Sequence, residues 1–211
     1  MLSRFFITGT DTGVGKTVVS ALLCAELGAI YWKPIQTGTR EGSDRATVMR
    51  IARMPKNRAL PETYRFAPPV SPHLAARLAR VRIELRKIKL PEIAPSENVI
   101  VEGAGGALVP INGTQLMTDL MAHLNLPVLL VARTSLGTIN HTLLSLAALR
   151  ATRIDVRGVV MVGKANRENR AAIERYGEIE VVGTVPLLAK INRPALLCVF
   201  REHFSREAFA A

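Results

Sequence analysis

The chain has little of what marks several common protein classes. It contains two cysteines, Cys24 and Cys198, and neither shares a metal-type spacing with histidine. That excludes a disulfide framework and a zinc module, and both cysteines are expected to be small buried hydrophobes. Aromatics make up 5% of the residues, and none interleaves the densest basic stretch, Arg77, Arg80, Arg82, Arg86, Lys87 and Lys89. Binders of single-stranded nucleic acid need stacking platforms, so that stretch reads as a solvated face. Acidic residues are outnumbered 17 to 28, for a formal net charge of +11. Basic residues are also scattered elsewhere, at Arg45, Arg50, Arg53, Lys56 and Arg58. Charge alone leaves nucleic acid, an acidic partner and an anionic small substrate all open. No apolar run reaches the roughly 18 residues of a membrane span. The start lacks a signal-peptide cleavage pattern, because Arg4 leads straight into a strand. A cytoplasmic protein is expected.

What is present is a rhythm. Short apolar runs alternate with longer helical patterns, the mark of a parallel sheet covered on both faces. Strands are expected over residues 4–8, 30–33, 98–102, 127–132, 156–162 and 179–185. Helices are expected near 15–27, 44–53, 72–80, 115–124, 138–150 and 167–176, with a further one over 193–208. Ser71 can cap the helix that Pro72 begins. Residues 54–70, rich in proline, read as irregular. There is no internal repeat, and the length suits one domain over residues 1–211. Ligands of such sheets bind outside the carboxyl ends of the strands, so the chemistry should follow the strands.

After the first strand comes Gly9-Thr10-Asp11-Thr12-Gly13-Val14-Gly15-Lys16-Thr17. Small residues let successive N–H groups face one anion, and the following helix offers its positive end. Lys16 can reach the β- and γ-phosphates, and the Thr17 hydroxyl can ligate Mg²⁺. The usual pattern has a glycine where Thr10 stands, and here it falls one step earlier, at Gly9. A nucleoside triphosphate is expected to bind here, contacted by Thr12, Gly13, Val14, Gly15, Lys16, Thr17 and Val18. The fold class is therefore α/β: a single-domain, three-layer αβα, P-loop NTPase-like fold with a mostly parallel central sheet.

Mg²⁺ needs hard oxygen ligands, and two carboxylates stand at suitable places. Glu102 ends a buried strand, where a charge is costly unless used, and Gly103, Ala104 and Gly105 follow it. Asp44 opens a helix after Gly42-Ser43, and a plain helix-terminus carboxylate is the other reading of it. Lys33, at the end of the second strand, can neutralise a transferring phosphoryl group or snorkel to the surface. Thr37 can meet a polar substrate or cap a turn. Gly137, Thr138, Ile139 and Asn140 open a helix whose free N–H groups suit a carboxylate. His141 and His73 read as packed or capping histidines rather than bases.

The segments FITGTDTGVGKT, KPIQTG, GSD, SPH, VEGAGG, LGTINH and GTVPLL occur in the order seen in dethiobiotin synthetases. The chain resembles that family from about residue 4 to residue 188. The resemblance implies a ligase of biotin biosynthesis that uses 7,8-diaminononanoate, CO₂ and MgATP. It implies that Lys16 holds the phosphates, that Thr17, Asp44 and Glu102 hold Mg²⁺, and that Lys33 stands beside the carbamate. It further implies that Thr37 touches substrate, and that Gly137, Thr138, Ile139 and Asn140 of a second subunit receive its carboxylate, making a homodimer. Gly103, Ala104 and Gly105 would adjoin the nucleotide, with Val162, Gly163, Val185, Pro186 and Leu187 around its base. Nucleic acid and membrane are not expected partners.

The chain departs from the family at Val162, where an asparagine usually reads adenine. Valine cannot form paired hydrogen bonds, which leaves base choice to Asn166 or to the backbone around Val185-Pro186-Leu187. The stretch after Leu188 lacks the family's closing pattern. Two alternatives use the same scaffold: a corrinoid-type amide ligase and a partition-type ATPase switch. The first usually carries a glutaminase domain with a nucleophilic cysteine, for which neither Cys24 nor Cys198 is placed. The second typically has an extra lysine early in the phosphate loop, where this chain has Thr10-Asp11.

Overall fold

The computed structural model describes residues 3–209. The strands are β1 (Arg4–Gly9), β2 (Ile30–Trp32), β3 (Ile35–Gln36), β4 (Tyr64–Arg65), β5 (Val99–Gly106), β6 (Val128–Arg133), β7 (Val156–Val162) and β8 (Val181–Val185). The helices are α1 (Lys16–Leu27), α2 (Asp44–Ala52), α3 (Pro72–Leu78), α4 (Met117–Leu124), α5 (Thr138–Ala151), α6 (Arg167–Gly177) and α7 (Arg193–His203). Six strands form one sheet in the order β2-β5-β1-β6-β7-β8, and every neighbouring pair is parallel.

Successive side chains of a strand point to opposite faces. Phe5, Ile7, Leu129 and Val131 therefore share one face with the apolar residues of α1, α2 and α7. Phe6, Val128, Leu130 and Val159 share the other with residues of α3, α4, α5 and α6. Both faces are covered, which is why the strands read as continuous apolar runs. β1 lies between β5 and β6. The chain leaves β1 towards β2 and later crosses back to β6, so a crevice opens outside the carboxyl ends of β1, β5 and β6.

Several expectations need adjustment. The second strand stops at Trp32, because Lys33 precedes Pro34, which has no N–H to continue a ladder. Residues 54–70 are not wholly irregular: β4 pairs with β3 through Ile35–Tyr64 and Gln36–Arg65. Two-residue strands carry no period to read. Ser71 does not cap α3 with its side chain; its hydroxyl meets His73 Nδ1 at 3.1 Å. Cys198 is not buried. Leu196, Val199 and Phe200 take the inner face of α7, and Cys198 lies outside, donating to Glu202 Oε1 at 3.1 Å. Cys24 is buried as expected.

The tail belongs to the core. The Asn192 side chain accepts from Ala195 N–H at 3.0 Å and starts α7. The helix ends at His203, short of the expected 208, and a 3₁₀ turn (Arg206–Phe209) follows. Phe200 stacks on Phe204 with ring centroids 5.2 Å apart, and Phe209 meets Phe5 edge-on at 5.8 Å.

Candidate nucleotide and metal site

The turn from β1 to α1 is shaped by its glycines. A Cβ on Gly9 would stand 2.7 Å from Val14 Cγ2 and 3.2 Å from Lys16 Nζ, so the displaced glycine is a packing requirement. Gly15 has φ 103° and sits against Val162, whose Cγ1 would be 3.0 Å from an added Cβ. Among the described residues, no backbone carbonyl accepts from the N–H groups of Gly13, Val14, Lys16 or Thr17. The loop is a nest of donors at a helix start. Lys16 is buried, and its Nζ donates to Asp11 O at 2.9 Å. Burial, reinforced by the nearby Lys33 ammonium, lowers its pKa to about 8.

Beside the loop lies a compact ionic cluster. Lys33 Nζ stands 2.6 Å from Asp44 Oδ2 and 2.9 Å from Glu102 Oε1. It also donates to Gly103 O at 3.3 Å. Thr17 Oγ1 lies 3.0 Å from both Asp44 Oδ1 and Glu102 Oε1. Burial works against the Lys33 ammonium, but Glu102 and Asp44 outweigh it and hold its pKa above the ordinary lysine value. Burial likewise works against ionised Asp44, yet Lys33, with the hydroxyl of Thr17, holds its pKa below the usual carboxylate value. Tyr31, fully buried, donates its phenol to Glu102 Oε2 at 3.0 Å. Gln36 Oε1 accepts from Asp44 N–H at 3.1 Å and pins the start of α2.

Two cavities flank the loop. The first, about 670 Å³, holds the ionic cluster and extends to Thr37 and the Val70-Ser71-Pro72 wall. The second, about 710 Å³, runs from Gly13 and Gly15 past Val162 and Gly163 to Asn166 and Leu187. Gly13 and Gly15 border both.

A family model described as an AAA domain matches residues 3–195. The protein called ATP-dependent dethiobiotin synthetase BioD from Novosphingobium aromaticivorans is 48% identical over 209 residues, 99% of this chain and 100% of that protein. The protein of the same name from Brucella melitensis biotype 2 is 46% identical over 210 residues, 100% of this chain and 98% of its own. The chain belongs to the dethiobiotin synthetase family. Among solved structures, a ParA family ATPase from Chlorobium tepidum TLS superposes with a TM-score of 0.56 at 14% identity, covering 94% of this chain and 90% of its own. A MinC:MinD cell division protein complex from Aquifex aeolicus gives 0.55 at 15% identity, covering 93% and 86%. These likenesses reflect the shared α/β fold. Near-half identity along the whole length is what separates a dethiobiotin synthetase from a partition ATPase on this scaffold.

Within this dethiobiotin synthetase fold, the residues singled out from sequence fall into three places. Thr12, Val18, Thr37, Ala104 and Gly105 border the first cavity with Lys16, Thr17, Lys33, Asp44 and Glu102. Val14, Val162, Gly163 and Leu187 border the second. Val185 lies beneath it, its carbonyl accepting from Gly163 N–H at 2.9 Å, while Pro186 is half-buried behind the lining. Asn166 Oδ1 is committed to capping α6, accepting from Asn169 N–H at 3.0 Å. Gly137, Thr138, Ile139 and Asn140 line neither cavity. They open α5 with Gly137 and Asn140 exposed and Thr138 Oγ1 donating to Arg133 O. Exposed Leu136 precedes them, and Leu144 and Leu108 are exposed nearby.

Sequence reasoning missed Tyr31, Gln36 and Arg133. Tyr31 and Gln36 look like ordinary strand residues until their partners are known. Arg133 carried the same kind of signal as Lys33, a cation at the carboxyl end of a strand. Arg133 closes the inner strand β6, whereas Lys33, expected after an inner strand, follows β2 at the edge of the sheet.

Proposed function

We propose that the first cavity closes a cyclic urea on 7,8-diaminononanoate, making dethiobiotin from CO₂ and ATP. The observation that carries this reading is the cluster of Lys33, Asp44, Glu102 and Thr17 packed against the phosphate loop. Phosphate donors, a cation and hard oxygens meet beside a cavity with room for a small amine.

One amine nitrogen attacks CO₂ and loses a proton, giving a carbamate. A carbamate oxygen attacks the γ-phosphorus, and the bond to ADP breaks. The second amine then attacks the carbonyl carbon of the mixed anhydride, loses a proton and expels phosphate. The protein positions these groups and neutralises charge, the main needs of phosphoryl transfer. The N–H groups of the loop and Lys16 orient the β- and γ-phosphates. Lys33, kept protonated by its two carboxylates, faces the developing charge as a cation rather than as a base. Thr37 offers a hydroxyl to the substrate.

The donor set fits Mg²⁺. Three hard oxygens, from Thr17, Asp44 and Glu102, already converge on one another, and Lys33 supplies positive charge against both carboxylates. Among the described residues no three His, Cys, Asp or Glu side chains cluster as a full metal cage, which suits an ion that keeps waters and phosphate oxygens. When bound, Mg²⁺ neutralises the β- and γ-phosphate oxygens.

Support for a homodimer comes from the exposed helix start at Gly137, Thr138, Ile139 and Asn140. Thr138 N–H donates to Ser135 O at 3.2 Å, while among the described residues no backbone carbonyl accepts from Ile139 or Asn140 N–H. These two suit the substrate's distant carboxylate, yet the helix start borders neither cavity of its own chain. The surrounding leucines, Leu136, Leu144 and Leu108, are the apolar surface that a second copy covers. Localisation in the cytoplasm belongs to the same reading, and no described helix is long and apolar enough to cross a membrane.

The deciding experiment mixes the protein with 7,8-diaminononanoate, bicarbonate, Mg²⁺ and ATP and looks for dethiobiotin by mass. Product that depends on all four components is expected. Folded protein that binds triphosphate yet yields no product would overturn the reaction.

A further inference from the structure

The second cavity must take whatever part of a nucleotide lies beyond the phosphate loop. Its shared border with the first cavity is Gly13 and Gly15, and Arg133 stands at that border. The arginine closes β6, next to β1 in the sheet, and its side chain reaches across the crest of the loop. One guanidinium nitrogen, Nη2, donates to Thr12 O at 2.9 Å and lies 3.8 Å from Asp11 Oδ2. The same nitrogen is 3.8 Å from the point where a Cβ on Gly13 would sit.

This contact has a consequence for the loop itself. In a trans peptide the carbonyl and the N–H point in opposite directions. Holding the Thr12 carbonyl therefore fixes the direction of the Gly13 N–H, one of the donors left for an anion. The preceding carbonyl, Asp11 O, is held by Lys16. Two successive carbonyls of the loop are thus tied to cations that stand on opposite sides of it.

A guanidinium carries five N–H donors in a planar fork. Among the described residues, hydrogen-bonded partners take one of them, and the side chain is half exposed, which leaves the others facing solvent and the cavity. The other cation on this cavity, Lys164, lies on the exposed turn beyond β7.

We propose that Arg133 is a nucleotide-binding residue. It grips the phosphate chain where that chain leaves the loop for the second cavity, and it does so without regard to the base. The proposal rests on the reading of the loop as a triphosphate site.

The test measures ATP and CTP binding calorimetrically with the full chain, its Arg133→Ala variant and its Arg133→Lys variant. Thermal stability without nucleotide and the KM for the diamine are followed alongside. Loss of a charge-assisted contact predicts that Arg133→Ala weakens both nucleotides equally, by about ten- to a hundredfold. Arg133→Lys, which keeps the charge and loses the fork, should recover part of that loss. Stability and the KM for the diamine should not move. Unchanged ATP affinity in Arg133→Ala would overturn the proposal, as would a loss confined to one base or accompanied by a destabilised empty protein. If the unsubstituted chain binds triphosphate but makes no dethiobiotin, and Arg133→Ala weakens that binding, the reaction fails while the role of Arg133 stands. If it turns over normally and Arg133→Ala binds ATP equally well, only the role of Arg133 fails.

Discussion

Lys33 Nζ rests 2.9 Å from Glu102 Oε1 with both side chains almost wholly buried. Asp44 closes on the same ammonium at 2.6 Å. A buried pair broken on one side leaves an uncompensated charge, at a cost of about 3–5 kcal/mol. Lys33→Met should therefore lower stability by that order in metal-free denaturant titrations. Turnover should fall by about 10²–10³, as for other lost electrostatic stabilisers. Mg²⁺ should restore more stability to the variant than it adds to the unsubstituted chain, because it replaces the missing cation. A midpoint that Mg²⁺ does not move would mean the carboxylates do not hold it.

Lys16 links binding to pH. In the empty site its pKa is about 8, and a bound polyanion favours the ammonium and raises that value. Triphosphate affinity is therefore complete below about pH 8 and declines as the pH rises above it. Binding in that range should take up a proton, read as a calorimetric heat that varies with the buffer's ionisation enthalpy. The empty fold shows the opposite trend, gaining stability from about pH 8 towards the 10.5 of the unfolded lysine. Proton release on binding would contradict the assignment.

Tyr31 sets how Glu102 presents itself. With Oε2 held by the phenol, Oε1 is the oxygen turned to Thr17 and Lys33. Tyr31→Phe should raise the Mg²⁺ concentration for half-maximal turnover by about tenfold, the usual scale for a partner behind a ligand. Glu102→Gln should raise it further. Identical metal titrations for all three proteins would remove Glu102 from the ligand set.

At the second cavity Val162 gives a base no hydrogen-bonding side-chain atom, and Asn166 Oδ1 is taken by its cap. Sites that read a ligand by hydrogen bonds reject a misfit by about 10⁴–10⁵, whereas apolar sites manage about 10². Specificity constants for GTP and CTP should therefore fall within about a hundredfold of that for ATP. A strict preference for ATP would point to the backbone near Leu187 as the reader.

Phe200 joins the tail to the sheet through Phe204 and Phe209. Phe200→Ala should cost about 3–5 kcal/mol of unfolding free energy. A loss below about 1 kcal/mol would show the tail to be an appendage.

The sequence by itself determined the contiguous features. Gly9 to Thr17 form one uninterrupted segment, and the loop's chemistry is local: small residues, a lysine and a helix start. The strands declared themselves because a sheet covered on both faces demands unbroken apolar runs. Lys33 and Glu102 could be named singly as charges that end apolar runs, and Asp44 as the start of a helix. β5 nonetheless continues past the expected end at Glu102 to Gly106 and keeps that carboxylate inside the strand, because the small residues Gly103 to Gly106 still pair. Only the tertiary structure decided that one ammonium stands between both carboxylates, since those residues come from elements whose adjacency is set by strand order. The same holds for Tyr31 behind Glu102 and for Arg133 across the phosphate loop. Each is a side chain on one element meeting a group on another, and no periodicity along the chain records such a meeting. The exposed side of Cys198 followed from which face of α7 the aromatic cluster claimed. The β3–β4 pair followed from a contact too short to leave a pattern. Local chemistry is written in neighbouring residues, whereas a buried charge is tolerated only where distant elements bring its partners, and packing alone arranges that.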